Sequence, residues 1–369
     1  MRLLFAFVGG PGHLDPLLPV ATAAHSVGHD VAVAGRAGVC DRAAALGLRI
    51  FQTEPARNRR RRPLLPVDVE RERSDFRSGF AARIAREQAA ARLAVCAEWR
   101  PDAFVCDETD FGAMIAAERL GVPHAAVLVT AARSFATPDL VAGPLDELRA
   151  EHGLPPDPEL AAIARHLVLA PFPPSYRDPV SPLAATAHAF RPAPAPVTRP
   201  EDPPLVYFSL GTEFNLESGD LFARVLDGLR DLPVSVLATV GSDIDPAELG
   251  PQPDRIRVER YVPQAAVLPR ASAVVSHGGS GSVLGALAHG LPLVLLPMGA
   301  DQPYNAARCE ALGVARSLDV IAATPADVRG AVADVLADPS YRAAAGRLRD
   351  EFAALPGPEH AVWLIEQLV

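Results

Sequence analysis

The chain contains no lysine, so arginine supplies every strongly basic side chain. P-loop nucleotide hydrolysis needs a lysine at the phosphates, and Schiff-base and pyridoxal phosphate chemistry need a lysine amine. The sequence therefore excludes these three classes of enzyme.

Cysteine is also scarce: four residues form neither a CxxC pair nor metal-finger spacing, namely Cys40, Cys96, Cys106 and Cys309. This usage is typical of small, reduced core residues in a cytoplasmic protein. We therefore expect no disulfide framework and a cytoplasmic location.

Long apolar runs are missing too, since none approaches the roughly 20 residues that a membrane-spanning helix needs. The apolar N-terminus is cut off at Gly9-Gly10-Pro11-Gly12, which favours a buried first strand over a secretory signal. A formal net charge of −9 argues against binding to a nucleic-acid backbone. We expect neither a membrane span nor a nucleic-acid partner.

Apolar runs of strand length alternate with alanine-rich stretches of helix length, as in β-α-β units on a parallel sheet. The pattern predicts strands over 3–8, 30–34, 103–106, 124–129, 205–210, 234–240, 256–260, 273–276 and 292–297. It predicts helices over 16–27, 37–46, 79–98 and 111–120. The expected fold class is α/β, with two doubly wound Rossmann-like domains.

A proline-rich stretch over 190–204 resists both helix and sheet and sets the predicted domain boundary. We expect an N-terminal domain at 1–195, a C-terminal domain at 196–355, and a final helix at 356–369. Trp363, Leu364 and Leu368 would form the apolar face by which this helix packs back on the first domain. Because ligands bind at the carboxyl ends of such strands, the two sheets should face a common cleft.

A glycine- and serine-rich turn after the strand over 273–276 opens a helix, whose free N–H groups favour an anion such as pyrophosphate. Ser280 and Ser282 add hydroxyl donors there. His277 can donate to a phosphate oxygen and stabilise a leaving diphosphate without a metal. The alternative is a purely structural turn with His277 as a helix cap.

The stretch from Tyr261 to Asn305 resembles the nucleotide-sugar motif of family 1 glycosyltransferases, which include plant secondary-metabolite enzymes and bacterial macrolide and polyketide enzymes. Comparable motifs lie at Gly12-His13-Leu14-Asp15-Pro16 and at Ser209-Leu210-Gly211-Thr212. The resemblance implies the GT-B fold and a nucleotide-sugar-dependent enzyme similar to those of actinomycete natural-product biosynthesis.

The resemblance also implies roles for the donor site. Tyr261 would stack on the nucleobase and the Val262 backbone would bind the base edge, beside Gln264. The diphosphate would be held by His277, Gly278, Gly279, Ser280, Gly281 and Ser282 and, from the opposite side, by Gly211 and Thr212. Asp301 and Gln302 would face the sugar hydroxyls.

Two departures from the plant motif bear on the donor. Gly285 stands where the plant enzymes have the glutamate that grips the ribose hydroxyls, which favours a dTDP-sugar over a UDP-sugar. Gly299 replaces a tryptophan near the glucose, which favours another sugar, such as a deoxysugar.

A catalytic pair is predicted in the first half. His13 follows the first strand and can take a proton from an acceptor hydroxyl, and Asp107 ends another strand and can fix the imidazole. The family has a carboxylate at this place. Direct displacement would invert the anomeric configuration. The alternatives are that His13 caps a helix and that Asp107 caps the helix near Phe111.

The run Asp107-Glu108-Thr109-Asp110 invites comparison with a metal site, but we expect it to be solvated and expect no metal and no cofactor. The arginine-rich stretch 55–79 predicts a mobile, solvated loop, or else a lid over an acceptor pocket. The acceptor wall is predicted from Phe76, Phe80, Ser134 and Phe135.

The expected function is an inverting transfer of a sugar, from a dTDP-sugar, to a hydroxyl of a small aromatic or polyketide-like natural product. Alternatives left open are C-glycosylation of an aromatic ring, use of a UDP-sugar, a GT-B sugar epimerase, and a non-catalytic partner of another transferase. A homodimer is also left open.

Overall fold

The computed structural model describes residues 1–193 and 198–369 and divides into two compact units. The first unit comprises Met1–Arg57, the described part of Glu70–Pro194, and Leu355–Val369. The second comprises Asn58–Val69 and the described part of Ala195–Ala354. The boundary predicted between residues 195 and 196 lies outside the described residues.

The first unit is built on a seven-stranded parallel sheet in the order β3-β2-β1-β4-β5-β6-β7. Its strands are β1 (Arg2–Ala6), β2 (Asp30–Arg36), β3 (Arg49–Glu54), β4 (Ala103–Asp107), β5 (His124–Val127), β6 (Leu167–Ala170) and β7 (Ala187–Ala189). The apolar N-terminus is strand β1 in the middle of this sheet. The interpretation as a buried strand is therefore confirmed.

Helices flank this sheet, and their ends follow local sequence. Asp110 caps Phe111–Leu120 by accepting from the Ala113 N–H at 2.9 Å, and Gly121 ends that helix at a φ of +66°. The α-helices of the unit are Pro11–Leu14, Leu18–Ser26, Asp41–Ala44, Val69–Asp75, Ala85–Trp99, Phe111–Leu120, Pro138–Glu151 and Pro358–Glu366. A π-helix spans Phe76–Ile84, and 3₁₀-helices span Ala161–Ala164 and Pro174–Tyr176.

The second unit has a six-stranded parallel sheet in the order β10-β9-β8-β11-β12-β13. Its strands are β8 (Leu205–Ser209), β9 (Ser235–Thr239), β10 (Ile256–Glu259), β11 (Ala271–Ser276), β12 (Leu293–Leu295) and β13 (Ala315–Ser317). Its α-helices are Leu221–Leu229, Gln264–Val267, Ser280–Ala288, Gln302–Ala311, Pro325–Ala337 and Pro339–Ala354. Its 3₁₀-helices are Asn215–Glu217, Pro246–Leu249 and Leu268–Arg270.

The stretch Asn58–Val69 packs with the second unit, although the prediction placed it in the first domain. Leu64 packs against the core of the second unit, and the Arg62 N–H donates to the Leu216 carbonyl at 2.9 Å. The expected loop over 55–79 is also partly wrong, because Val69–Asp75 is helical.

The final helix, Pro358–Glu366, packs on Leu18–Ser26 of the first unit, as expected. Its buried face is Ala361, Val362 and Ile365, with Leu364 and Leu368 partly buried. Trp363 is 52% exposed and stacks on His360, so its predicted place in the apolar face is wrong. Trp363 lies two positions from Ala361 and from Ile365, which turns it to the solvent side of the helix.

All four cysteines are buried and free, as their spacing predicts. Within the described ranges, no helix is both long enough and apolar enough to cross a membrane.

Candidate active site

The candidate catalytic residues lie at the switch point of the first sheet, where the strand order reverses between β1 and β4. His13 follows β1, on the one-turn helix Pro11–Leu14, and Asp107 is the last residue of β4. Doubly wound sheets bind ligands outside the carboxyl ends of their strands at this point. The two residues predicted from separate motifs are therefore brought together.

His13, Asp107 and Thr109 form a polar triad. Nδ1 of His13 lies 3.5 Å from Oδ2 of Asp107 and 3.3 Å from the Thr109 hydroxyl. That hydroxyl donates to the other carboxylate oxygen of Asp107 at 2.5 Å. Because both neighbours of Nδ1 offer only lone pairs to it, Nδ1 carries the proton. Nε2 is then left with its lone pair, as a general base requires.

Asp107 is fully buried and fixed by the backbone. Oδ2 accepts from the Val8 N–H at 2.9 Å, and Oδ1 accepts from the Thr109 N–H at 2.7 Å. Neither suggested capping role is found: the residue before the helix turn of His13 is Gly10, and the cap of Phe111–Leu120 is Asp110.

Two neighbours set the plane of the His13 imidazole. Gly9 has a φ of +84°, and a Cβ added there would lie 2.9 Å from Cδ2 of His13. On another side the Phe80 ring stacks on the imidazole, with centroids 5.7 Å apart and planes 20° apart. His13 itself stays partly exposed, with 23% of its side chain accessible.

The acidic run 107–110 is buried, contrary to the expectation that it is solvated. Each carboxylate has its own donors: Glu108 accepts from the Val129 and Thr130 N–H groups, and Asp110 pairs with Arg92 at 2.8 Å. Burial raises the pKa of the Asp110 carboxyl, and the Arg92 guanidinium opposes that rise. Across the described part of the chain, no group of three or more His, Cys, Asp or Glu residues could hold a metal ion.

The four predicted acceptor residues lie in the same unit near His13. Phe76 packs between Phe80 and Phe135, with ring centroids 5.1 and 5.4 Å away. Phe76 and Phe135 are buried, at 9% and 6% exposure, so they support the more open Phe80 from behind. The Ser134 hydroxyl donates to Glu108 at 3.2 Å, which ties the Ser134 loop to the acidic run.

The candidate donor residues of the second unit lie at its own switch point, between β8 and β11. Gly211 follows β8, and His277 follows β11. A Cβ at Gly211, which has a φ of +72°, would lie 2.6 Å from Cε1 of His277, and one at Gly279 would lie 2.6 Å from Nε2. The imidazole therefore fits only because both positions are glycine.

His277 is not a helix cap, because the cap of Ser280–Ala288 is Gly279. Its Nδ1 is buried without a hydrogen-bond partner. Burial lowers the pKa of His277 to about 4, so the ring is neutral at pH 7. A neutral ring keeps one N–H to donate.

The start of Ser280–Ala288 has the geometry of an anion site. The Val283 N–H bonds the Gly279 carbonyl at 3.0 Å, so the three preceding N–H groups have no acceptor within the helix. The Ser280 N–H and hydroxyl donate to Asp301, at 3.2 and 2.6 Å. The amides of Gly281 and Ser282 point from the same turn and carry the positive end of the dipole.

Asp301 and Gln302, predicted to face sugar hydroxyls, bond the protein in this structure. Asn305 also donates to Asp301, at 2.8 Å, and burial raises the pKa of the Asp301 carboxyl. Oε1 of Gln302 accepts from the Met298 N–H at 2.8 Å. The two side chains thus shape the loop after β12.

The predicted base-binding residues follow β10. Tyr261 is 64% exposed, and Val262 is partly buried. The Gln264 side chain donates to the Ser282 hydroxyl at 3.5 Å. A Cβ at Gly285 would lie 3.3 Å from Gln264 Oε1, so Gln264 occupies the space beside that position. Of the remaining predicted donor residues, Gly278 is buried in the loop after β11 and Thr212 is exposed in the loop after β8.

Sequence reasoning missed several residues of these sites. Thr109 was predictable in principle, because an Asp-x-Thr turn lets the hydroxyl and amide bond the carboxylate two residues earlier. Phe214, with its ring centroid 6.4 Å from that of His277, and Asn305 become evident only from the fold.

Two Rossmann-like α/β units, each with its candidate residues at a switch point, define the GT-B class of fold. The structure of the spinosyn rhamnosyltransferase SpnG complexed with thymidine diphosphate matches with a TM-score of 0.82 and 25% identity. It covers 99% of this chain and 100% of that one.

Sequence comparisons identify the family. The model for the erythromycin biosynthesis protein CIII-like C-terminal domain matches residues 223–368. The chain is 30% identical to 4'-demethylrebeccamycin synthase of Lentzea aerocolonigenes, over 100% of this chain and 99% of that protein. It is 28% identical to 3-alpha-mycarosylerythronolide B desosaminyl transferase of Saccharopolyspora erythraea, over 100% and 98%. The chain belongs to the family of natural-product glycosyltransferases, enzymes that use nucleotide sugars.

Proposed function

We propose that the chain is an inverting glycosyltransferase that moves a deoxysugar from a dTDP-sugar to a hydroxyl of an aromatic or polyketide-like natural product. The observation that carries the proposal is the triad at the first switch point, in which Asp107 and Thr109 both face Nδ1 of His13. This arrangement favours the tautomer in which Nε2 can accept a proton.

The chemistry follows from that base. As the acceptor oxygen attacks the anomeric carbon, its proton passes to Nε2 of His13, and the buried Asp107 carboxylate stabilises the imidazolium. The bond from the anomeric carbon to the diphosphate breaks on the opposite face. One displacement inverts the anomeric configuration, and dTDP leaves with the bonding electrons.

The leaving diphosphate gains negative charge, which the second unit is suited to stabilise. The leaving diphosphate accepts hydrogen bonds from the amides of Gly281 and Ser282 and from the neutral His277, and the dipole of the helix attracts its charge. Gly211 and Thr212 donate to it from the loop after β8. These donors supply the charge stabilisation that a divalent cation provides in other transferases, so we propose a metal-independent reaction.

The preference for dTDP rests on Gly285 and on relatives. Because residue 285 is glycine, no carboxylate at this position pairs with the two hydroxyls of a ribose. A dTDP-sugar, whose deoxyribose lacks one of these hydroxyls, therefore forgoes no contact that a UDP-sugar would make there. One relative, of Streptomyces peucetius, is named a TDP-daunosamine transferase, and it is 28% identical over 100% of this chain. The solved SpnG structure holds thymidine diphosphate.

The test is calorimetric titration of the protein with dTDP and with UDP, in metal-free buffer containing a chelator. We expect micromolar binding of dTDP and binding of UDP weaker by several-fold. Gly285→Glu should reduce the difference between the affinities for dTDP and UDP. Gly285→Ala is the control for the change in helix propensity. Failure of both nucleotides to bind would overturn the donor assignment, and retention of the anomeric configuration in the product would overturn the one-step mechanism.

A further inference from the structure

The arginine-rich stretch Asn58–Val69 has no role in the proposed reaction, yet it packs with the second unit. Arg59 differs from its neighbours in this stretch. Its side chain is 24% exposed, whereas Arg60, Arg61 and Arg62 are all exposed residues.

The Arg59 guanidinium bonds two loops of the second unit at once. Nη1 donates to the Asp243 carboxylate at 2.6 Å. Nη2 donates to the Asn215 side-chain oxygen at 2.6 Å and to the Glu213 carbonyl at 3.2 Å. The planar fork of arginine can serve three acceptors in this way, whereas a lysine ammonium cannot reproduce the geometry.

Both loops follow strands at the donor end of the sheet. The first loop carries Gly211 and Thr212 after β8 and reaches Asn215, and the second carries Asp243 after β9. Asn215 is 1% exposed, and its amide donates to the Val240 carbonyl at 2.8 Å. A Cβ at Gly241 would lie 2.2 Å from that amide nitrogen, so the Asn215 side chain is closely packed in one position. Arg59 bonds its side-chain oxygen.

The second loop is also held on its other side. Arg260 donates to the carbonyls of Ser242 and Ile244, at 3.2 and 3.1 Å. Its neighbour Tyr261 is the residue proposed to stack on the nucleobase. The loop after β9 is therefore bonded by two arginines. Arg59 also bonds the loop that carries Gly211 and Thr212, and Arg260 precedes Tyr261 in the chain.

We propose that Arg59 is a positioning residue for the diphosphate of the donor. It fixes the loop from Gly211 to Asn215 so that Gly211 keeps its left-handed conformation against His277 and the loop amides face the phosphates. This inference rests on the proposed function, because it assumes that Gly211 and Thr212 contact the diphosphate. It assigns no contact between Arg59 and the substrate.

The test compares Arg59→Gln with Arg60→Gln, which removes the same charge from the adjacent, exposed position. Binding of dTDP and of thymidine is measured calorimetrically, and thermal unfolding is followed without ligand. We expect Arg59→Gln to weaken dTDP binding about tenfold or more while thymidine binding stays within twofold. Arg60→Gln should leave both affinities unchanged.

A second variant, Arg59→Lys, keeps the charge but loses the forked geometry, and it decides the matter if Arg59→Gln fails to fold. We expect it to bind dTDP at least threefold more weakly than the wild type at an unchanged melting temperature. Wild-type affinity for dTDP in Arg59→Lys, or an equal loss of dTDP and thymidine binding in the variants, would overturn the positioning role. A wild type that binds no dTDP would instead overturn the proposed function.

Discussion

The position of the His13 imidazole depends on four neighbouring residues. Asp107 and Thr109 fix the proton on Nδ1, Phe80 stacks on one face, and the bare backbone of Gly9 leaves room at the edge that carries Cδ2 and Nε2. A base displaced by about 1 Å can lose about a hundredfold in rate. Under the proposed mechanism, Gly9 therefore contributes to the position of the base as the charged residues do.

A single added methyl at Gly9 should displace the base. Gly9→Ala is expected to lower kcat about a hundredfold, approaching His13→Ala, because the new Cβ overlaps Cδ2 of His13. Binding of dTDP should stay unchanged, since the donor residues belong to the other unit. Steady-state kinetics and dTDP titration measure the two effects.

Two controls separate displacement from strain. Gly12→Ala adds a methyl on the same helical turn, with nothing within 4 Å of it. Gly28→Ala, at a φ of +95°, carries the same kind of backbone strain in open space. Both should keep near-normal kcat, and a comparable loss in Gly28→Ala would show that strain rather than crowding lowers the rate.

Much of the candidate site could be predicted from the sequence. His13 and His277 follow apolar strands and Asp107 ends one, and ligands bind at the carboxyl ends of the strands in this fold. Arg59 could not be predicted, since its partner Asn215 lies 156 positions away and no local pattern links them. The burial of the acidic run was likewise hidden, because its donors come from Val8, Arg92 and the loop at Thr130.

At the scale of elements, two helices of the first unit pack against each other beside the acidic run 107–110. Ala85–Trp99 and Phe111–Leu120 pack so closely that a Cβ at Gly112 would lie 2.6 Å from the Ala85 carbonyl oxygen and the Ala89 nitrogen. The same contact places Arg92, which is fully buried, against Asp110 and the Phe7 carbonyl. Breaking such a buried pair costs about 3–5 kcal/mol.

Gly112→Ala should therefore destabilise the first unit by about 1–3 kcal/mol, because the helices must separate. In an exposed helix the same change stabilises by up to about 1 kcal/mol. Gly330→Ala, within Pro325–Ala337 and with nothing within 4 Å, is the matched case and should be neutral or stabilising. Chemical denaturation of both variants gives the comparison, and a stabilised Gly112→Ala would contradict the close packing.

The strands that the sequence did not predict lie mostly at sheet edges. β3, β7 and β13 are edge strands, and the latter two have three residues each. Edge strands are short and half exposed, so they lack the apolar run that marks a central strand. β6 was missed although all four of its residues are buried, because so short a run does not distinguish strand from helix.

At the scale of the whole molecule, buried histidines make stability depend on pH. Burial, with the charge of His166 as a second cause, lowers the pKa of His124 to about 4, and burial alone does the same for His277. In an unfolded chain both titrate near pH 6.5. Between these values the unfolded state binds more protons, so the free energy of unfolding falls as the pH falls.

Acidification from pH 7 to pH 4.5 should lower the free energy of unfolding, by up to about 3 kcal/mol for each of these two histidines. His124→Gln should flatten the pH dependence, since it removes one of the two titrating groups. Urea midpoints for the wild type and the variant at several pH values test this. An identical slope in the two proteins would mean that His124 does not carry the effect.

The course of Asn58–Val69 also affects how members of this family can be recombined. A chimera that joins the halves of two members at the proline-rich linker would take residues 58–69 from one parent and their partners Asn215 and Asp243 from the other. In such a chimera, residue 59 comes from one parent and the loop that carries Asn215 comes from the other, so the bonds of Arg59 need not form. Grafting residues 58–69 together with the second half would keep the native pairing and should yield hybrids with better retained donor affinity.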